Sequence, residues 1–326
     1  MTAQAMLRVR VTARVREAQD IASFELAALG GEPLPPFSAG SHVDVEVRPG
    51  LVRQYSLCND PSERHRYLIA VLREPQSRGG SRGMHDDVHV GATLSISAPK
   101  NHFPLAPAGR YLLLAGGIGI TPILCMAERL AHTGAAFSLH YCTRSPGRMA
   151  FRDRIARSSF ADRVRFHFDG AADGFDLQGT LRAAPPDTHV YVCGPSGFID
   201  AVTGTARSLG WADERVHLEY FGAAPQDTSA DRPFDVTIAS TGDTYHVPAG
   251  VSVLQVLLDN GIDVPVSCEQ GVCGTCVTRV LGGTPDHRDH YLTDDERAAN
   301  DQFTPCCSRA RTPSLVLDLC PRSNVM

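Results

Sequence analysis

Over the first hundred residues, apolar and polar positions alternate with a period of two, as in Val43-Asp44-Val45-Glu46-Val47. Gly30-Gly31, Pro33, Pro35-Pro36, Gly40 and Pro49-Gly50 cut the alternation into short runs. Short strands with frequent turns predict a small antiparallel β-barrel over residues 1–105. Beyond it the period changes. Strand patterns at 111–115, 137–143, 164–169, 189–193 and 216–220 are interleaved with helical patterns at 122–132, near Phe151 and at 196–209. Such interleaving predicts an α/β segment, 106–223, whose parallel sheet is covered on both faces. Ligands of such sheets bind at the carboxyl ends of the strands. Residues 224–233, in which the polar run 227–233 follows Pro225, read as a linker. In 234–326 a hairpin is expected from 234–239 and 244–247. A helix follows, signalled by Ser252-Val253-Leu254-Gln255 as a capping box, by apolar Leu254, Leu257 and Leu258, and by Gly261 as its stop. Thr293-Asp294-Asp295-Glu296 starts a second short helix in the same way.

Composition narrows the function classes. The chain has 326 residues, 43% hydrophobic and 21% charged, with a formal net charge of -5. That length allows two or three domains. A mildly acidic balance without a long basic run gives no support to nucleic-acid binding. The most apolar run, 111–127, holds three glycines and a proline, so it reads as strand, loop and helix and not as a membrane span. Residues 1–16 alternate apolar and basic positions without an apolar core, which argues against a secretory signal. A cytoplasmic, monomeric protein with reduced thiols is expected.

Four stretches carry candidate chemistry. Cys268, Cys273 and Cys276 stand in C-x4-C-x2-C order, the spacing of plant-type [2Fe-2S] sites. Gly271 and Gly274 within that loop let backbone N–H groups approach bridging sulfides. The fourth thiolate must come from Cys306 or Cys307. A zinc site fits less well, because zinc modules usually show two short Cys pairs and only Cys273-x-x-Cys276 is one. A Rieske reading through His287 and His290 is unnecessary, since enough cysteines are present; solvated loop histidines account for them. The other cysteines, Cys58, Cys125, Cys142, Cys193, Cys320 and one of the 306/307 pair, lack framework spacing and read as small core residues.

In the barrel segment, Arg53-Gln54-Tyr55-Ser56-Leu57 offers a guanidinium for anionic oxygens, an aromatic for a flat ring and a hydroxyl for ring heteroatoms. Gly79-Gly80-Ser81 reads as a nest for phosphate, with Ser81 able to cap a short helix. The strand between them includes Ala70 and Val71, whose backbone could run along the edge of a bound ring system. In the α/β segment, Gly116-Gly117-Ile118-Gly119-Ile120-Thr121-Pro122 forms the first crossover, with Thr121 as cap and Pro122 at the first helical position. It is not the G-x-G-x-x-G fingerprint, because Pro122 replaces the third glycine. No acidic residue ends the second strand, which runs into Thr143-Arg144. Cys193-Gly194-Pro195 opens a later helix.

Taken together in this order, these motifs resemble the ferredoxin reductase superfamily, and within it the phthalate dioxygenase reductase family, over almost the whole chain. The resemblance implies a multidomain electron-transfer reductase with FMN, NADH and one [2Fe-2S] cluster, serving a phthalate dioxygenase-like Rieske-type aromatic oxygenase, with a vanillate-type O-demethylase or another Rieske monooxygenase as the alternative. It implies an FMN barrel, an NAD-binding α/β domain and a β-grasp ferredoxin domain. By the same resemblance Arg53, Gln54, Tyr55, Ser56, Ala70, Val71, Gly79, Gly80 and Ser81 would hold FMN. Thr121 would face the flavin ring and Phe221 of Glu219-Tyr220-Phe221-Gly222 would cover it. Gly116, Gly117, Gly119, Thr143, Arg144, Cys193, Gly194 and Pro195 would meet the nucleotide. Thr121, Cys193 and Phe221 would bear on catalysis by setting where the ring sits. In this family the fourth cluster ligand is followed by one residue and then Ser-Arg, which selects Cys306. Arg144 alone would suit the 2′-phosphate of NADPH, but the resemblance favours NADH. A redox carrier or sensor without turnover is the non-enzyme alternative, and the nucleotide turns argue against it.

Overall fold

The computed structural model describes residues 6–170, 174–222 and 227–319. Residues 224–226 of the expected linker, and Cys320, lie outside the described residues. The chain divides into two compact units, 1–221 and 222–326.

The first unit begins with an antiparallel sheet of β1 (Leu7–Ala18), β2 (Ile21–Ala28), β3 (Ser41–Arg48), β4 (Leu51–Ser56), β5 (Tyr67–Leu72), β6 (Thr93–Ile96) and β7 (Lys100–Asn101). Their order is β4-β3-β6-β1-β2-β5, with β7 on β3. A bridge between Leu57 and Ile69 joins the first strand of that order to the last, so the sheet closes into the expected barrel. Closure follows from the alternation: Val9, Val11, Phe24, Leu26, Val43, Val45, Tyr67 and Ile69 all point inward and are fully buried. Of the polar positions between them, Asp44 is covered because Lys100 Nζ lies 2.7 Å from its carboxylate. Helix α1 (Gly80–Asp86) closes one end with Met84.

Five parallel strands follow: β8 (Arg110–Gly116), β9 (Ala136–Thr143), β10 (Val164–Phe168), β11 (Thr188–Gly194) and β12 (Val216–Tyr220), in the order β10-β9-β8-β11-β12. β8 is apolar throughout because both its faces are covered. Leu113 and Ala115 face the cluster that includes α2 (Ile120–His132), and Leu112 and Leu114 face the one that includes α5 (Ser196–Ser208). The expected helix near Phe151 is α3 (Arg152–Ala156). A further helix, α4 (Leu177–Ala183), has no strong apolar period and is not evident in the sequence; Asp176 caps it by accepting from Gly179 N at 2.8 Å.

In the second unit β13 (Phe234–Ile238), β14 (Thr244–Val247), β15 (Thr278–Gly282), β17 (Gln302–Phe303) and β19 (Ser314–Leu317) form a mixed sheet in the order β14-β13-β19-β15-β17. The short strands β16 (Pro285–Asp286) and β18 (Arg309–Ala310) pair separately. Helix α6 (Val253–Asp259) packs on the sheet through Val253, Leu254 and Leu257, whereas Leu258 is exposed. The expected capping box of α6 is only half made. Ser252 accepts from Gln255 N at 3.1 Å, but the Gln255 side chain donates to Asp259 instead of reaching back. At α7 (Asp294–Ala299) both halves of the Thr293–Glu296 box are present. Asp231, from the end of the expected linker, is anchored inside this unit. Its carboxylate accepts from Arg288 at 2.8 Å and from Gly250 N at 3.2 Å.

Candidate functional site

The strand order places β8, the first strand of the parallel sheet, between β9 on one side and β11 on the other. This is a topological switch point, where open α/β sheets bind ligands. The two glycine turns expected to meet the nucleotide are brought together there. A Cβ on Gly119 would lie 2.2 Å from Cys193 O, and one on Gly194 would lie 2.9 Å from Gly116 Cα. Both positions therefore require glycine, because backbone packs on backbone. Gly117 has φ +54° and turns the chain into a single 3-10 turn. Pro195 precedes α5, and at the end of β9 Thr143 is buried and donates to Ser145 O at 3.1 Å while Arg144 is exposed.

Thr121 does not cap α2. The helix starts at Ile120, two residues earlier than a Thr121 cap requires, because the 3-10 turn at Gly117–Gly119 runs directly into it. Thr121 is buried and its hydroxyl donates to Ile118 O at 3.1 Å. Ser81 does not cap α1 either. The cap position belongs to Gly79, left-handed at φ 93°, and Ser81 Oγ instead accepts from Glu74 N at 3.1 Å.

Around the end of β4 the barrel motif is compact. The stem of Arg53 lies against Gly80, where a Cβ would come within 2.6 Å of Arg53 Cγ. Gln54 pairs with Asp44 across β3, and burial of the Tyr55 phenol pushes its ionisation up. Ala70 and Val71 are buried on β5. Ser56 is buried and its hydroxyl meets the carboxyl of Glu219, a residue to which sequence reasoning assigned no role. Burial raises the Glu219 pKa to about 8, and its Oε2 has no hydrogen-bond partner. In register, Ala115, Cys193 and Glu219 form one row across β8, β11 and β12. Burial, and then the neighbouring Glu219, push the Cys193 thiol well up. An acid within the strand pattern 216–220 was the signal the sequence offered for Glu219, and its burial is not legible there. Phe221, just past β12, is 39% exposed.

In the second unit the thiols of the cysteine loop converge. Cys268 Sγ meets Cys273 and Cys306, and Cys306 Sγ meets Cys268 and Cys276. Bonds from the Cys273 and Cys306 thiols hold Cys268 well below the usual thiol range, and the same bonds push the two donors up. Cys307 also meets Cys306, but its other neighbours are Thr304 Oγ1 at 3.2 Å and the Cα of Gly271, where a Cβ would lie 2.4 Å from Cys307 Sγ. Gly274 is as constrained: a Cβ there would enter the Tyr291 ring. His287 is not a solvated loop histidine. Its side chain is 7% exposed, both ring nitrogens lack partners, and Asp289 lies 3.8 Å away. His290 is exposed, as expected.

Comparison with known proteins agrees with this geometry. The model of the 2Fe-2S iron-sulfur cluster binding domain matches residues 236–311. The chain is 56% identical to the vanillate O-demethylase oxidoreductase of Pseudomonas putida, covering 96% of this chain and 100% of that one. It is 42% identical to the phthalate dioxygenase reductase of Burkholderia cepacia, covering 96% and 97%. A solved phthalate dioxygenase reductase superposes with a TM-score of 0.77 over 97% of this chain and 98% of that one, at 42% identity. The chain belongs to the phthalate dioxygenase reductase family. It is an oxidoreductase component of an oxygenase system, with a [2Fe-2S] cluster-binding domain.

The residues fit the family's groups. Four converging thiols, with a backbone donor from Gln270 N 3.3 Å from Cys268 Sγ, suit a cluster that needs thiolates and N–H donors. The shared thiol protons must leave when iron binds. Where Glu219 meets the barrel at Ser56, its orphaned oxygen marks a place that a polar partner would satisfy. The chain has no G-x-G-x-x-G turn, yet its glycine turns meet at the switch point all the same. No helix among the described residues is long and apolar enough to cross a membrane.

Proposed function

We propose that the chain is the reductase of a vanillate-type O-demethylase, passing electrons from NADH to a Rieske-type terminal oxygenase. The observation that carries this reading is the 56% identity over the full length of a vanillate O-demethylase oxidoreductase, against 42% for a phthalate dioxygenase reductase. A phthalate dioxygenase-type partner is the second reading, favoured by the 0.77 TM-score of that structure.

The proposed division of labour is residues 1–105 for FMN, 106–223 for NADH, 224–233 as linker and 234–326 for the cluster. When bound, flavin and cluster together convert a two-electron hydride into single electrons. Arg53, its stem held by Gly80, would supply charge to the flavin phosphate beside Gly79 and Ser81. Gln54, Tyr55, Ser56, Ala70 and Val71 would position the ring. The Thr121 hydroxyl donates to Ile118 O and keeps its lone pairs for a hydrogen bond from the ring. Phe221 would cover the ring face and give way to nicotinamide. Gly116, Gly117, Gly119, Gly194 and Pro195 would let the dinucleotide approach the backbone, with Thr143, Arg144 and Cys193 beside it. Cys268, Cys273, Cys276 and Cys306 would ligate the iron. No side chain needs to move a proton in the hydride step. The protein is taken to be a cytoplasmic monomer.

Reconstitution with the terminal oxygenase of the Pseudomonas putida vanillate system tests the reading. Vanillate-dependent NADH oxidation, exceeding phthalate-dependent oxidation with a phthalate oxygenase, is expected; the reverse preference would select the second reading.

A further inference from the structure

β1 carries Arg8, Arg10, Arg14 and Arg16 at even positions, which an unbroken strand would point to one side. It is not unbroken. Between Val11, opposite Leu26, and Ala13, opposite Glu25, one extra residue enters the ladder at Thr12. Such a bulge re-aims the side chains beyond it. Arg14 then stands opposite Phe24 and Arg16 opposite Ala22, both of which belong to the barrel interior. Arg8 and Arg10, before the bulge, remain exposed on the other side.

The redirected arginines line a cavity of about 550 Å³, shared with Arg73, His85 and His89. Arg14 is held rigidly: it donates to His85 O at 2.7 Å and Val88 O at 3.1 Å, and lies 5.5 Å over the Phe24 ring. Of the lining residues Asp20 alone is acidic, and its carboxylate has Arg148 at 3.9 Å. Arg73 is joined at the rim by Asp86 at 3.1 Å. Three arginines thus gather on a chain whose net charge is -5. The rest of the wall is apolar, from Ile21, Ala22 and the 60% exposed Val90. The cavity shares no residue with those proposed above for flavin, nucleotide or cluster.

We propose that this end of the barrel is a binding site for a small aromatic carboxylate. Guanidinium groups pair with carboxylates in bidentate fashion and stack on flat rings, and the apolar wall takes the ring body. The volume is that of a small-molecule site. His85 also bonds Val71 O at 2.9 Å, so it ties the cavity wall on α1 to β5, the two elements proposed to border the flavin.

Isothermal titration of the flavin-loaded full chain with benzene-1,2-dicarboxylate tests this, with its dimethyl ester and inorganic phosphate as controls. The dicarboxylate is expected to bind and the ester not to bind. Arg16→Gln with Arg73→Gln should weaken binding about tenfold or more, the loss expected for charged hydrogen bonds, with flavin content unchanged. Val90→Glu, which keeps all three arginines and adds a negative charge to the wall, should weaken it too. Absence of binding, equal binding by phosphate or by the ester, or unchanged affinity in both variants would overturn the proposal.

Discussion

At Cys306 and Cys307 two adjacent thiols compete for one role, and their surroundings differ. Cys306 meets Cys268 and Cys276, whereas Cys307 is occupied by Thr304. Strand alternation does not separate them, because residues 305–307 form a turn; the direction of each Cα–Cβ bond in that turn does. Cys306→Ser should lose the cluster and Cys307→Ser keep it, read as about two irons per chain with acid-labile sulfide against none. Iron retained in the first variant and lost in the second would exchange the roles. Glu219 offers a second residue-level test. Its pKa is about 8 in the folded chain against an ordinary 4.5. Between these values the folded state binds more proton than the unfolded state, so the contribution is intact below about 4.5 and stability falls as pH rises through about 8. Each unit of separation corresponds to about 1.4 kcal/mol, an upper bound of a few kcal/mol in all. Glu219→Gln should flatten that fall in thermal melts at pH 6 and pH 9; an unchanged slope would mean that the carboxyl is ionised throughout.

Helix starts show how local signals are kept or overridden. The Thr293–Glu296 box forms as its sequence prescribes, because α7 is exposed and nothing else competes for its groups. Thr293→Ala should cost about 1 kcal/mol, measured by denaturant unfolding. At Thr121 and Ser81 the local capping signal is overridden, since Gly117 and Gly79 adopt positive φ and set the turn first. Gly119 shows the opposite dependence, on packing between elements. Gly119→Ala would drive Cβ into Cys193 O, so the β8 and β11 turns must separate. Weakened nucleotide binding is expected with the cluster intact, read as a higher KM for NADH and an unchanged iron content. An unchanged KM would place the nucleotide elsewhere.

At the scale of the molecule, the carboxyl end of the parallel sheet bears on nucleotide choice. Arg144 is exposed beyond β9, and Asp169, whose N–H donates to Thr143 O at 3.3 Å, stands just past the neighbouring strand; with both charges at this strand end, NADH should be preferred with a dye acceptor. A tenfold kcat/KM advantage for NADPH, about 1.4 kcal/mol, would reverse this and make Arg144 the first residue to change. Much of the architecture was legible along the chain, because period two, period 3.6 and cysteine spacing are local properties that each segment carries whatever it packs against. The alternation around Val43, the βα alternation after Tyr111 and the C-x4-C-x2-C loop needed no partner to be read. Helix α4 escaped because it buries little more than Leu181. The pairing of Ser56 with Glu219, the burial of His287 and the turning of Arg14 and Arg16 by the bulge at Thr12 were decided only in three dimensions. Each depends on residues far apart in the chain meeting in a dry or closely packed place, and neither burial nor strand register is a property of any one segment alone.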